Sequence, residues 1–263
     1  QTPNVKDTIN TSTLQYINRR VDADQYRNAG AEVRYINEYK IGKLKNTIAA
    51  GARYFNGNTN RLQNGKGDTG SDFNFNTSVP FTADLDFNTT NIAAFAENII
   101  HAGKRLIIIP GIRYESIRNS ANGRLNFNSN GTENKITNQS RSRNFLLAGL
   151  GAEYHISNTE IYANYSQAYR PVLFADIVAG PTTDVIDENL KDAKGYNIDL
   201  GWRGTVKEFL FFDISAFYLL YNNRIGLLTQ QRTDGSFYNL RTNVGNSASK
   251  GAEVLIEFSP VKA

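Results

Sequence analysis

Two histidines and no cysteine leave this sequence few groups able to do bond-making chemistry. His101 and His155 each stand beside a short turn with no second histidine or cysteine at ligand spacing, so neither a metal nor a catalytic role is expected of them. Without cysteine there is no disulfide, thiolate-metal or thiol redox chemistry. A hydrolase needs a nucleophile and a base on facing strands. Ser166 and His155 come nearest, but they lie toward opposite ends of their strands. No G-x-S-x-G or H-E-x-x-H occurs, and Gly65-Lys66-Gly67 lacks the spacing of a phosphate loop. Asp68, Asp72, Asp84 and Asp86 do not follow EF-hand spacing and read as solvated loop carboxylates. The expectation is no catalytic residue, no metal, no cofactor and no enzyme activity. Arginine is patterned differently: Arg53, Arg113 and Arg203 each stand two residues after a glycine, in Gly51-Ala52-Arg53, Gly111-Ile112-Arg113 and Gly201-Trp202-Arg203.

The elements that carry these residues alternate with a period of two. From Asn144 to Ile156 the even positions Leu146, Ala148, Leu150, Ala152, Tyr154 and Ile156 are apolar, while Gly149, Gly151, Glu153 and His155 lie between them. Ser157-Asn158-Thr159 supplies turn chemistry, after which Ile161, Ala163 and Tyr165 resume the alternation. The same hairpin pattern appears in Tyr26 to Ile41 with Ile48 to Tyr54, in Thr90 to Ile100 with Leu106 to Glu115, and in Tyr196 to Arg203 with Leu210 to Arg224. Phe95 and Glu97 share a face and blur the third of these strands. A last strand carries Ala252, Val254, Ile256 and Phe258 on one face. Short turns alternate with long polar connections, expected over 64–88, 117–139, 171–192 and 225–239, while Gln1 to Gln25 reads as a loop or weak strand.

Composition narrows the class. The chain has 263 residues and a net charge of +4 spread over many loops, so no basic stripe for nucleic acid is expected. No run approaches the ~18 apolar residues of a spanning helix. Strands of about 10 residues, short turns at one end and long loops at the other, fit an antiparallel transmembrane β-barrel. Lipid-facing arginine costs roughly 2 to 4 kcal/mol near the bilayer midplane, so the face of Arg53, Arg113 and Arg203 is assigned to the lumen. On the apolar parity, Tyr39, Tyr154, Trp202 and Phe258 lie near short turns, and Tyr54, Tyr114, Tyr165 and Tyr218 lie toward the long loops. These are expected to form two membrane girdles. The expected fold is all-β, and residues 1–263 are read as part of one barrel domain. About nine strands leave open edges in lipid, so a larger closed barrel of about 22 strands with a filled lumen is expected.

At this point the residues resemble a family. Thr90-Asn91-Ile92-Ala93-Ala94-Phe95-Ala96-Glu97-Asn98, Ile109-Pro110-Gly111-Ile112-Arg113-Tyr114-Glu115 and Tyr162-Ala163-Asn164-Tyr165-Ser166-Gln167-Ala168-Tyr169-Arg170-Pro171 look like the barrel of TonB-dependent outer-membrane receptors. Asp199-Leu200-Gly201-Trp202-Arg203-Gly204 and Val244-Gly245-Asn246-Ser247 continue the likeness, which is nearest to the ferric dicitrate branch. The resemblance implies energised uptake of a ferric chelate across the outer membrane of a Gram-negative bacterium. Iron travels as ligand, and the lipid and lipopolysaccharide of that membrane surround the wall. It also implies a plug that contacts the TonB complex and terminal strands, both expected outside this sequence.

An anionic chelate is bound best by bidentate guanidinium groups, and Arg61, Arg118, Arg141, Arg143 and Arg170 stand at the long-loop ends, where they are expected to act as a group. The alternative for each is a pair with a loop carboxylate or a lipopolysaccharide phosphate. Alternatives for the whole are a glycan or other nutrient receptor of the same fold, or a non-transporting adhesin or porin.

Overall fold

Residues 9–69, 75–171, 173, 176, 178, 185–207 and 209–259 are described by the computed structural model. Strands β1 (Ile9–Asn10) and β2 (Gln15–Tyr16) form a small ladder. Long strands β3 (Arg20–Ile41), β4 (Leu44–Lys66), β5 (Ala83–His101), β6 (Leu106–Phe127), β7 (Glu133–Ile156) and β8 (Thr159–Arg170) follow. After β9 (Val185–Ile186) come β10 (Ala193–Val206), β11 (Leu210–Asn222), β12 (Ile225–Gln231), β13 (Phe237–Asn243) and β14 (Ser247–Phe258). Nine of them make one sheet in the order β14-β11-β10-β8-β7-β6-β5-β4-β3, and β12-β13-β9 make a second, three-stranded sheet.

Register explains why the alternation is so regular. Tyr154 faces Ile161, Ile161 faces Trp202, Trp202 faces Ile214 and Ile214 faces Val254, so one apolar row crosses five strands. Its members stay open: Trp202 is 48% exposed, Leu200 beside it 56% and Val254 63%. A slip of one residue in any strand would turn that row inside out, which is what pins the register. Residues of the other parity form a polar row through Glu153, Tyr162, Gly201, Ser215 and Glu253.

Several expected loops are strand instead. β6 and β7 run through 117–139 and close on a tight turn where Asn128 N–H donates to Thr132 O at 2.8 Å. β3 begins at Arg20 and β5 at Ala83, and 225–239 folds as the β12–β13 hairpin. The extensions are rich in Asn, Asp, Ser and Gly, which read as loop even where, as at Ala83, Leu85 and Phe87, every second residue is apolar and buried. Backbone pairing and side-chain amides hold them on one face, and a few buried apolar side chains on the other.

By compactness the chain divides into two units. The first takes Gln1–Ala31, Tyr54–Asn91 and Ile117–Ser142, and the second Glu32–Arg53, Ile92–Ser116 and Arg143–Ala263. In the first, Val21, Leu85, Phe87 and Ala121 are buried on one side. On the other, amides bridge β4 and β5: Asn56 donates to Thr90, Asn58 to Asn88, and Asn60 to both Asp84 (3.1 Å) and Asp86 (3.2 Å). Along β4 this parity carries Ile48, Ala50, Ala52 and Tyr54 before it carries Asn56, Asn58 and Asn60. One face thus changes from apolar to amide directly after Tyr54.

In the second unit the blurred strand β5 has a simple explanation. Phe95 lies flat over Gly51, where an added Cβ would sit 2.5 Å from the ring, and Arg113 stacks on the same ring at 5.5 Å. Tyr162 covers Gly201 in the same way, with Arg203 at 5.0 Å from the ring centroid, and Phe217 covers Gly251. The polar face is therefore tiled by aromatic–glycine pairs, two of them with a guanidinium group above the ring.

Candidate functional site

At the long-connection end of the second unit, charged groups tie the β12–β13 hairpin to the ends of the long strands. Asp176 is 1% exposed and lies between two arginines, with Arg241 Nη1 at 2.7 Å and Arg170 Nη2 at 3.1 Å. Leu173 N–H donates to the same carboxylate at 3.0 Å. Such burial stands only because the carboxylate is fully paired. Arg170 Nη1 and Arg241 Nε are buried without a partner, so the clasp carries more donor capacity than Asp176 uses. Asp187 accepts from Thr242 Oγ1 at 2.5 Å, and with the Asn189 N–H this holds its carboxyl below the usual carboxylate range. Asn243 clamps Lys191 through both of its amide atoms. Leu190 is buried against Ile186 and Ile225 beneath these bonds.

Below the clasp the β7–β8 ladder stops at Gly149 and Ser166, and Gln167 Oε1 accepts from the Ala148 N–H at 2.9 Å. Past this break, Phe145 stacks on Tyr169 with ring centroids 3.6 Å apart. Asp192 takes a bond of 2.5 Å from the Tyr169 hydroxyl and another of 2.5 Å from Arg143 Nε.

The arginines expected to meet a ligand as one group are thus mostly engaged. Arg143 is held by Asp192 and Arg170 by Asp176, both in the second unit. Arg61, in the first, makes a two-pronged pair with Asp24, 3.0 Å from Nη2, and lies over Phe87. The hydrogen bond to Asp24 raises the Arg61 pKa further above its ordinary value. Among the described residues Arg118 and Arg141 make no ion pair. Arg118 shares the parity of Ile112 and Tyr114 on β6, whereas Arg141 shares that of Glu153 on β7. Asp68 is bonded by Arg19 at 2.7 Å, Asp84 and Asp86 by Asn60, and Asp72 lies outside the described residues.

Asp192 and the Asp176–Arg241 pair had no signal in the sequence, because Asp192 meets Tyr169 across 23 positions and Asp176 meets Arg241 across 65. The short-turn end differs. There the two-residue turn sets His155 opposite Glu160 and places Glu153 on the same face, with one ligand atom of each within 4.8 Å of the others. The sequence offered His155 no second histidine or cysteine, and cross-strand pairing instead brings it two carboxylates. That pairing was legible from the turn length.

Aromatic residues gather at both ends of the apolar face. Tyr165, Tyr196 and Tyr218 form a row across β8, β10 and β11 with centroids 5.8 and 6.2 Å apart. Toward the short turns, Trp202 meets Phe212 edge-on at 4.7 Å and Phe209 meets Phe258 at 5.8 Å. Tyr114 and Tyr154 are exposed, Tyr39 and Tyr218 are half-buried, and in the first unit Tyr54 is exposed.

The family model "TonB dependent receptor-like, beta-barrel" matches residues 2–259. Among solved structures, the chain is similar to the ferric-catecholate import receptor Fiu from E. coli in its closed form (TM-score 0.70, 13% identity), covering 91% of this chain and 36% of that one. It is similar to the unliganded ferric citrate transporter FecA (TM-score 0.66, 22% identity), covering 90% and 32%. It is also similar to the siderophore receptor PiuA from Acinetobacter baumannii (TM-score 0.65, 16% identity), covering 91% and 37%. The chain spans about a third of the length of these receptors. No curated protein matches.

Proposed function

We propose that this chain, which belongs to the TonB-dependent receptor-like β-barrel family, forms part of the wall of an outer-membrane receptor that takes up a ferric chelate. The bacterium is Gram-negative, the iron is cargo carried by a dicitrate or siderophore ligand, and uptake is energised by the TonB complex acting on a plug. The observation that carries the membrane reading is the apolar row from Tyr154 to Val254, open across five paired strands. In water such a face would drive aggregation, whereas in lipid it is the solvated side. The aromatic rows at its ends serve as interfacial girdles, and the change to asparagine after Tyr54 marks the outer edge of the apolar band.

The ferric ligand is supported by the family and by the ligands of the receptors whose fold is similar. Arg141 is the cation best suited to first capture, because it lies on the polar parity and makes no ion pair among the described residues. Arg143 and Arg170 act only if ligand carboxylates displace Asp192 and Asp176. Calorimetric titration of ferric citrate and of a ferric siderophore into the full-length receptor tests this. One of them binds, and Arg141→Gln weakens it roughly 10- to 100-fold, the worth of one charge-assisted hydrogen bond. Absence of heat with both chelates at micromolar protein contradicts the iron reading.

A further inference from the structure

We propose that Glu153, His155 and Glu160 form a binding site for a divalent transition-metal ion at the short-turn end of the second unit. Their placement follows from backbone pairing. His155 on β7 lies directly opposite Glu160 on β8, and Glu160 lies opposite Arg203 on β10. Glu153 precedes His155 by two residues and so shares its face. His155 Nδ1 stands 3.1 Å from Glu160 Oε2, Glu153 Oε2 stands 3.7 Å from the other ring nitrogen, and one ligand atom from each of the three residues lies within 4.8 Å of the others. Two ligands bonded to one ion at about 2.0 to 2.2 Å are themselves about 3 to 3.5 Å apart. The His155–Glu160 pair already has that spacing.

Arg203 does not block the site. Its Nε holds Glu160 Oε1 at 2.5 Å, which leaves Oε2 as the atom turned to His155. A guanidinium that fixes one carboxylate oxygen while the other points at the ion is an orienting contact of the kind that surrounds metal ligands. A recess of about 320 Å³ opens beside His155, Glu160 and Arg203, and Glu153 lines a second recess that also touches Arg203. The first leaves room for water to complete the coordination shell. The three side chains are 17% to 39% exposed, so an ion can enter without any strand parting.

Donor chemistry sets the class of ion. One imidazole and two carboxylates suit Zn²⁺, Co²⁺ or Ni²⁺, while Mg²⁺ and Ca²⁺ prefer all-oxygen shells and Cu⁺ prefers sulfur. With neutral His155 the ligands carry two negative charges, reduced to one by Arg203. This site lies at the end of the strands opposite the Asp176 clasp, and it does not depend on what the receptor transports.

The test is calorimetric titration of Zn²⁺ into the full-length protein in detergent, with the absorption of Co²⁺ as a second readout. Wild type is expected to bind one Zn²⁺ that His155→Gln and Glu160→Gln each lose, and to give Co²⁺ visible bands that the same variants lack. Glu153→Gln is expected to bind roughly tenfold more weakly or worse. Heat-modifiable migration on gels checks that each variant is folded. Where His155→Gln fails to fold, Glu160→Gln decides. Equal Zn²⁺ stoichiometry in wild type and variants, or Mg²⁺ binding as tightly as Zn²⁺, would overturn the proposal. So would absence of Zn²⁺ binding to the wild type.

Discussion

Asp176 shows how one residue can hold a lobe in place. It is the largest fully buried side chain among the described residues, and it reaches Arg170 at the end of β8 and Arg241 on β13. Replacing it leaves two guanidinium groups facing each other with no counter-ion. Breaking a buried pair by removing one partner costs roughly 3 to 5 kcal/mol. Asp176→Ala should therefore raise the amide exchange of β12 and β13 well above that of β10 and β11, and equal exchange in mutant and wild type would refute the clasp. Asp187 adds a pH dependence of known sign. Its folded pKa lies below its ordinary value, so its bonds to Thr242 and Asn189 stabilise the lobe above the ordinary carboxylate range. That contribution is lost as pH falls through the folded pKa. Exchange of the β12–β13 amides should accelerate below about pH 4, and Asp187→Asn should remove that part of the acceleration.

At the level of the strand, the polar face is built from rings laid over glycines. Gly201 is covered so closely by Tyr162 that an added Cβ would lie 2.3 Å from the ring. Tyr162 in turn donates to Asp213 at 3.0 Å. Gly201→Ala should cost about 1 to 3 kcal/mol by overpacking. Tyr162→Ala should cost a similar amount by loss of the ring and its bond, yet the double mutant should cost less than the sum, because the clash vanishes with the ring. Additive costs in urea unfolding would mean that the ring does not set the glycine. The nine strands, and the faces of most of them, were legible in the sequence because an apolar and a polar face alternate with a period of two. Where apolar positions are sparse among Asn, Ser and Gly, as in 117–139, alternation fades and strand looks like loop. The arginine partners were hidden for another reason: Asp176 and Arg241 are joined through tertiary packing alone. His155 and Glu160 are five residues apart across a two-residue turn, and their meeting follows from hairpin geometry.

For the molecule as a whole, the central claim is that its open apolar face meets lipid while the arginine-bearing face meets water. The native sequence has no cysteine, so single cysteines can carry spin labels along β10 at 198 to 202 without a competing thiol from this segment. In liposomes, the account predicts that labels at Ile198, Leu200 and Trp202 are relaxed by oxygen dissolved in the bilayer. Labels at Asp199 and Gly201 should instead be relaxed by a water-soluble nickel chelate, in strict alternation. A run of equal accessibilities, or an alternation of the opposite phase, would contradict it.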